Sequence, residues 1–193
     1  MDFVLKEDEK IKEFAKKLNS EIYIVNLIKS EDIRSLRRKI DSEKGLVVVG
    51  AGSDEINKNL LENKKVDILL SLERNRERDF MKSRDSGLNQ TLCKLASKNK
   101  IAVGFNFSDV FNTNGIERSN LLGKMMQNVR LCKKYKVKII VGSFASKWQE
   151  LRSERDLIAF GREIGIEKVN NKDVISFLEN KKDYIAEGVR IVK

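Results

Sequence analysis

Between Arg118 and Lys147 the chain carries eight basic side chains (Arg118, Lys124, Arg130, Lys133, Lys134, Lys136, Lys138 and Lys147) and no Asp or Glu. The chemistry available to such a run is neutralisation of phosphate, since each Lys or Arg placed at a phosphate releases condensed counterion. At helical spacing Leu122, Met125, Met126, Val129 and Cys132 share one face, with Lys124, Gln127, Arg130 and Lys134 roughly opposite. The apolar side is expected to pack and the basic side to face outward. A solvated helix face is the plain alternative, although no acid stands at i, i+4 to pair with these cations.

A second cluster lies in Glu73-Arg74-Asn75-Arg76-Glu77-Arg78-Asp79-Phe80-Met81-Lys82-Ser83-Arg84-Asp85. Its cations Arg74, Arg76, Arg78, Lys82 and Arg84 are mostly arginines, whose planar forks grip phosphate oxygens in pairs and stack on bases. The interleaved acids are equally consistent with an internally paired surface loop. Gly50-Ala51-Gly52-Ser53 begins like a dinucleotide fingerprint, but Glu55 stands at the third glycine position, so the segment is read as a tight turn. Gly142-Ser143-Phe144-Ala145-Ser146-Lys147-Trp148 offers small hydroxyl residues after a strand, either as a phosphate cradle or as a turn packed under Trp148.

Histidine is absent, which removes the side chain that titrates near neutrality and the commonest ligand of zinc, copper and iron. Mechanisms built on histidine are excluded. Carboxylate-bound magnesium, a lysine Schiff base and carboxylate acid-base chemistry stay open, but no catalytic residue and no metal ligand is assigned. Cys93 and Cys132 lack C-x-x-C spacing, so neither a disulfide framework nor a cysteine zinc site is indicated, and a cytoplasmic location is expected. Lys plus Arg number 39 against 29 Asp plus Glu, a formal net charge of +10, which favours a phosphate-bearing partner. No apolar run is long enough to cross a bilayer.

These side chains are positioned by strands and helices in alternation. Continuous apolar runs at Ile22 to Asn26, Leu46 to Gly50, Asp67 to Ser71, Ile101 to Asn106, Lys138 to Gly142 and, more weakly, Glu167 to Val169 read as buried parallel strands. Helical spacing separates them, as at Ile33, Leu36 and Ile40. Ser53 precedes Asp54 and Glu55 as an N-cap, and Ser153 with Asp156 resembles a capping box. The pattern predicts one α/β domain over residues 1–193, a (β/α) barrel in preference to an open doubly wound sheet. The longest connections, residues 72–87 and 107–117, follow strand ends, where α/β folds carry function.

One ordered set of stretches is Val66-Asp67-Ile68-Leu69, Arg84-Asp85-Ser86-Gly87-Leu88-Asn89, Leu92, Lys94-Leu95-Ala96, Asn99 and Ile101-Ala102-Val103-Gly104-Phe105-Asn106. Arg118, Lys133-Lys134-Tyr135-Lys136-Val137, Ile139-Ile140-Val141-Gly142-Ser143, Ser146, Trp148, Leu151-Arg152-Ser153 and Asp156-Leu157-Ile158-Ala159-Phe160 continue it. Taken in order, these stretches resemble protein component 3 of the archaeal and eukaryotic ribonuclease P family. The resemblance implies a TIM-like barrel, similar to that of metal-dependent phosphoesterases whose metals are held largely by histidines. Leu72, Glu73 and Gln90 stand where family members often carry histidine. Because Asp2-Phe3-Val4-Leu5 runs almost directly into a helical segment, the barrel is expected to be irregular or incompletely closed at its N-terminal edge.

The resemblance further implies a subunit of a particle whose RNA, with bound magnesium, cuts the 5′ leader from precursor tRNA. It implies pairing with protein component 2 as a two-plus-two heterotetramer, contact with other ribonuclease P proteins, and no cofactor in this chain. The residues expected to hold RNA phosphates are Arg74, Arg76, Arg78, Lys82, Arg84, Lys124, Arg130, Lys133, Lys134 and Lys147. Arg152 is read as structural. The alternative from the residues themselves is a barrel enzyme acting on a small phosphorylated metabolite, with Ser143 and Ser146 in a phosphate pocket and Lys138 or an unidentified carboxylate as acid or base. A protein-binding scaffold is a third reading.

Overall fold

A computed structural model describes residues 1–74, 79 and 84–190, with side chains as far as residue 181. In chain order its elements are β1 (Asp2–Val4), α1 (Glu9–Lys17), β2 (Ile22–Ile24), β3 (Leu27–Ile28), α2 (Ile33–Ser42), β4 (Val48–Gly50), α3 (Asp54–Glu62) and β5 (Ile68–Leu70). There follow α4 (Gln90–Lys98), β6 (Ala102–Asn106), α5 (Phe107–Phe111), α6 (Gly115–Tyr135), β7 (Ile139–Gly142), a 3₁₀ turn (Trp148–Glu150), α7 (Glu154–Glu163) and α8 (Asn171–Arg190). The expected caps are formed: the Ser53 hydroxyl accepts from the Ile56 N–H at 3.4 Å, and the Ser153 hydroxyl and Asp156 carboxylate exchange bonds with each other's backbone N–H. Asp32 caps α2 in the same way. Of the two long connections, residues 107–117 are largely helical, holding α5 and the start of α6.

The strand pairs are parallel, in the order β3-β4-β5-β6-β7 and β1-β2. One bent segment joins the two groups. Only Val25 and Asn26 separate β2 from β3, so the first half of this segment pairs with β1 and the second half with β4. On the far side Val4 bridges Ala145 just beyond β7, where the Leu5 N–H donates to the Ala145 carbonyl at 2.9 Å. The strands therefore close into a ring, a TIM-like (β/α) barrel. The irregularity expected at the N-terminal edge takes the form of a strand that changes partner, and the edge is closed. The weak strand expected at Glu167–Val169 is not formed, because β1 already occupies the edge of β7 that it would need.

Alternation along the strands divides the core in two. Val48, Ile68, Leu70, Ala102 and Ile140 fill the barrel interior with Phe3 and Phe144, while Val49, Leu69, Val103, Phe105 and Val141 face the surrounding helices. Small residues make the interior fit: a Cβ on Gly104 would lie 2.8 Å from Leu70 Cδ1, and one on Gly142 would lie 2.9 Å from Phe3 Cδ2. Val174, Ile175 and Leu178 of α8 join the interior cluster and plug the end where the strands begin. Burial of each such side chain stabilises by about 1.5–3 kcal/mol. At the same end Lys181 is buried, its ammonium donating to the Val66 carbonyl at 2.5 Å and lying 3.5 Å from Asp67.

A carboxylate fastens the closing edge. Asp2 is fully buried and accepts from the Phe3 N–H at 2.7 Å, the Ser143 N–H at 2.6 Å, the Ser143 hydroxyl at 2.6 Å and the Arg152 N–H at 3.4 Å. Burial raises its pKa above the ordinary aspartate value even though every one of these bonds opposes the shift. Among the described residues no helix is long and apolar enough to cross a membrane.

Candidate functional site

The basic run of the sequence falls on α6 and the turn after it. The buried arc of α6 is Leu121, Lys124, Met125, Asn128, Val129 and Cys132. It is rotated towards Lys124 and Asn128 relative to the arc expected from apolar spacing, because the chain leading into α4 covers that flank: Asn128 Nδ2 donates to the Ser86 carbonyl at 2.8 Å. Lys124, with 7% exposure, is therefore not on the outward face where spacing put it. Arg130, Lys133, Lys134, Lys136 and Lys138 are exposed. Lys133 pairs with Glu167 at 2.7 Å, and the Lys134 ammonium lies 5.6 Å from the Tyr135 ring. Both are surface contacts that a phosphate can replace at little cost, since an exposed pair is worth about 0–1 kcal/mol.

Arg84 meets this helix directly. Its carbonyl accepts from Gln127 Nε2 at 3.1 Å, and its guanidinium lies across Gly123, where a Cβ would fall 1.8 Å from Nη1. Positions 123, 127, 130 and 134 follow one another at helical spacing, so Arg84, Arg130 and Lys134 line one stripe. The end of the arginine-rich loop and the basic helix thus form one surface. Arg76, Arg78 and Lys82 lie outside the described residues.

Arg74 faces elsewhere. It pairs with Asp109 at 3.2 Å, and the other Asp109 oxygen accepts from the Ser71 hydroxyl at 2.6 Å, so Arg74 stands at the barrel mouth and not on the α6 stripe. Lys147 is exposed beside the 3₁₀ turn, with its backbone N–H directed at Glu150 at 3.3 Å. Arg152 is structural, as expected: its guanidinium sits 4.9 Å from the Phe107 ring and 4.6 Å from the Phe111 ring.

The residues named for a metabolite enzyme do not converge. The Ser143 hydroxyl is buried and bound to Asp2. Lys138 precedes β7, near Phe177 of α8 at 5.2 Å, at the end of the barrel opposite Ser146. No group of three or more His, Cys, Asp or Glu able to hold a metal occurs among the described residues.

Sequence reasoning missed a buried polar cluster beneath Arg84. Glu73 is buried, accepts from Asn128 Nδ2 at 3.4 Å, and has its pKa pushed up to about 8, chiefly by loss of solvent and further by Asp109. Glu73 Oε1, Ser86 Oγ and Asn128 Oδ1 are buried without a hydrogen-bond partner. Burial also pushes the Cys93 thiol up to about 12 and raises Cys132, so neither is a nucleophile. The missed signal was the polar pair Lys124 and Asn128, four residues apart on one flank of a long helix.

Residues 17–181 match the family model described as RNase P subunit p30. Ribonuclease P protein component 3 of Methanosarcina mazei is 30% identical over 169 residues, covering 83% of this chain and 67% of that protein. The protein of the same description from Thermococcus kodakarensis is 34% identical over 160 residues, covering 81% and 69%, whereas the one from Methanococcus maripaludis is covered for only 50% of its length. A chain in a cryo-EM structure of archaeal ribonuclease P with mature tRNA superposes with a TM-score of 0.66 at 25% identity, over 96% of this chain and 79% of that one. With the barrel, the order of its motifs and this extent of similarity in agreement, the chain belongs to the RNase P subunit p30 family.

Proposed function

We propose that this chain is a protein subunit of a ribonuclease P particle, in which the RNA carries out the cut that removes the 5′ leader from precursor tRNA. Its own part is to hold the RNA in shape by neutralising phosphates. The observation that carries this reading is the stripe of Arg84, Arg130 and Lys134 on α6, flanked by Lys133 and free of acids along the helix from Arg118 onward. Family membership supports the particle. The absence of histidine from the chain is consistent with a barrel that works as scaffold.

Within that particle the chain pairs with protein component 2, as a two-plus-two assembly on the RNA, alongside other ribonuclease P proteins. Magnesium belongs to the RNA and no cofactor to this chain. Arg74 and Lys147 add phosphate contacts outside the main stripe. Cations spaced along a rigid helix let negatively charged RNA helices approach at lower magnesium, with affinity that falls steeply as salt rises.

Affinity purification of the full chain from its host, followed by sequencing of bound RNA and identification of bound proteins, tests this function. Enrichment of one ribonuclease P RNA with its proteins is the expected result. Recovery of proteins that survives nuclease treatment, with no RNA enriched, supports a protein-only scaffold and contradicts the proposal.

A further inference from the structure

The barrel mouth holds a cavity of about 390 Å³ at the C-terminal ends of the strands. Leu5 after β1, Lys29 after β3, Gly50 of β4, Leu70 of β5, Asn106 of β6 and Phe144 after β7 all line it, so the whole ring of strands converges there. In (β/α) barrels this face is where ligands are held, and the volume falls within the range of small-ligand sites.

The wall carries two carboxylates, two cations and neutral amides and hydroxyls. Both carboxylates are occupied from within the protein. Asp109 accepts from Ser71 and Arg74 with its two oxygens. Glu150 accepts from Asn112 Nδ2 at 3.2 Å with one oxygen, and from the Ser146 and Lys147 N–H groups with the other. The donors that remain in the wall come from Asn106, Lys29 and Arg74, beside the Asn112 amide oxygen as an acceptor. Asn106 lines the cavity with 8% exposure, and its Oδ1 is taken by the Ser108 N–H at 2.9 Å, which leaves Nδ2 as the donor of its amide. Lys29 runs its stem over Gly50, where a Cβ would lie 2.9 Å from Lys29 Cε, and among the described residues no carboxylate pairs with its ammonium. Arg74 uses Nη1 on Asp109 and keeps its other N–H groups.

Two non-glycine residues of this wall, Ser71 at φ 59° and Phe144 at φ 46°, are held in the left-handed region. Such conformations cost on the order of 1–3 kcal/mol each and gather where a site must be shaped. Phe144 is fixed by stacking on Phe3 at 5.3 Å and by the Asp2 bonds to its neighbour Ser143.

We propose that the barrel mouth binds a phosphate monoester, with Lys29, Arg74 and Asn106 Nδ2 as its donors, as a binding site without a reaction. A free mononucleotide and the phosphorylated end of an RNA both present this group. The site is separate from the α6 stripe and stands or falls independently of it.

Calorimetric titration of the full chain tests it, with inorganic phosphate, adenosine 5′-monophosphate and adenosine as probes, and with a short oligoribonucleotide bearing either a 5′-phosphate or a 5′-hydroxyl as competitor. Phosphate and the monophosphate should bind saturably with dissociation constants in the range of about 1 mM or tighter, and adenosine should not. Asn106→Asp keeps the oxygen that caps Ser108 and replaces the donor by a carboxylate oxygen, so it should weaken monophosphate binding at least tenfold with an unchanged melting temperature. Lys29→Ala should act in the same direction. Displacement of the monophosphate by the 5′-phosphorylated oligomer and not by its hydroxyl counterpart identifies an RNA end as the source; a monophosphate that only free nucleotides displace identifies a metabolite. The proposal is overturned if adenosine binds as well as the monophosphate, if no phosphate binding saturates, or if binding is lost in Arg130→Ala/Lys133→Ala/Lys134→Ala but kept in Asn106→Asp.

Discussion

The guanidinium of Arg84 rests on Gly123 so closely that a Cβ there would lie 1.8 Å from Nη1. This glycine, in the interior of a helix from Gly115 to Tyr135, leaves a notch that seats an arginine from the neighbouring loop beside Gln127. The seat joins two basic regions that are distant in sequence. Gly in a helix interior costs about 0.5–1 kcal/mol relative to Ala, a cost consistent with a recognition role for the notch.

Gly123→Ala should therefore separate stability from binding. The clash falls on the far end of a flexible side chain, so Arg84 swings away and the helix gains up to about 1 kcal/mol in propensity. Affinity for ribonuclease P RNA should fall severalfold, and the slope of log K against log salt should shrink by about one unit for the lost contact. Urea unfolding and filter binding across salt concentrations measure the two effects separately.

Glu73 makes stability depend on pH. Its pKa is raised from 4.5 in the ordinary state to about 8 in the folded chain, so the folded state binds more protons than the unfolded one between those values. Stability is at its full value below about pH 4.5 and falls as pH rises to about 8, by on the order of a few kcal/mol. Asp109, Arg74 and Asn128 face this carboxylate, and its own backbone N–H, the Asn128 amide and Arg74 favour its charge without offsetting the loss of solvent. Glu73→Gln should flatten the fall and stabilise the protein at pH 8 to 9, where denaturant midpoints of the two forms are compared.

Removal of the Asp2 carboxylate should open the barrel where it closes. Asp2→Ala leaves the Ser143 N–H and the Phe3 N–H buried without an acceptor, and the Ser143 hydroxyl with only the Phe3 carbonyl at 3.4 Å. At about 1–3 kcal/mol for each stranded group, the loss should exceed about 2 kcal/mol. Ser143→Ala removes one donor and leaves Asp2 its backbone bonds, so it should cost about 1 kcal/mol. Equal losses in urea unfolding of the two variants would contradict the role given to Asp2.

Much of the fold could be read from the chain because strand and helix signals are local. Ser53 and Ser153 stand at helix starts and serve there as caps, and the runs ending at Gly50, Asn106 and Gly142 are strands. Closure was not local. It depends on one segment changing partner at Val25 and on Asp2 meeting Ser143 across 141 positions, neither of which leaves a periodic trace. The exposed cations of α6 were legible from the missing acids, whereas burial of Lys124 follows from a covering segment that helical spacing cannot reveal. The mouth donors Lys29 and Asn106 come from different strand ends, and only the ring of strands brings them together.

The central claim is that the exposed face of α6 neutralises RNA phosphate. Its most direct test is the particle reconstituted with Arg130→Ala/Lys133→Ala/Lys134→Ala, measuring RNA affinity across salt and cleavage of precursor tRNA across magnesium. The account predicts a salt slope smaller by about two to three units, a raised magnesium requirement, and cleavage that persists at saturating magnesium. Unchanged affinity with an unchanged salt slope would contradict it.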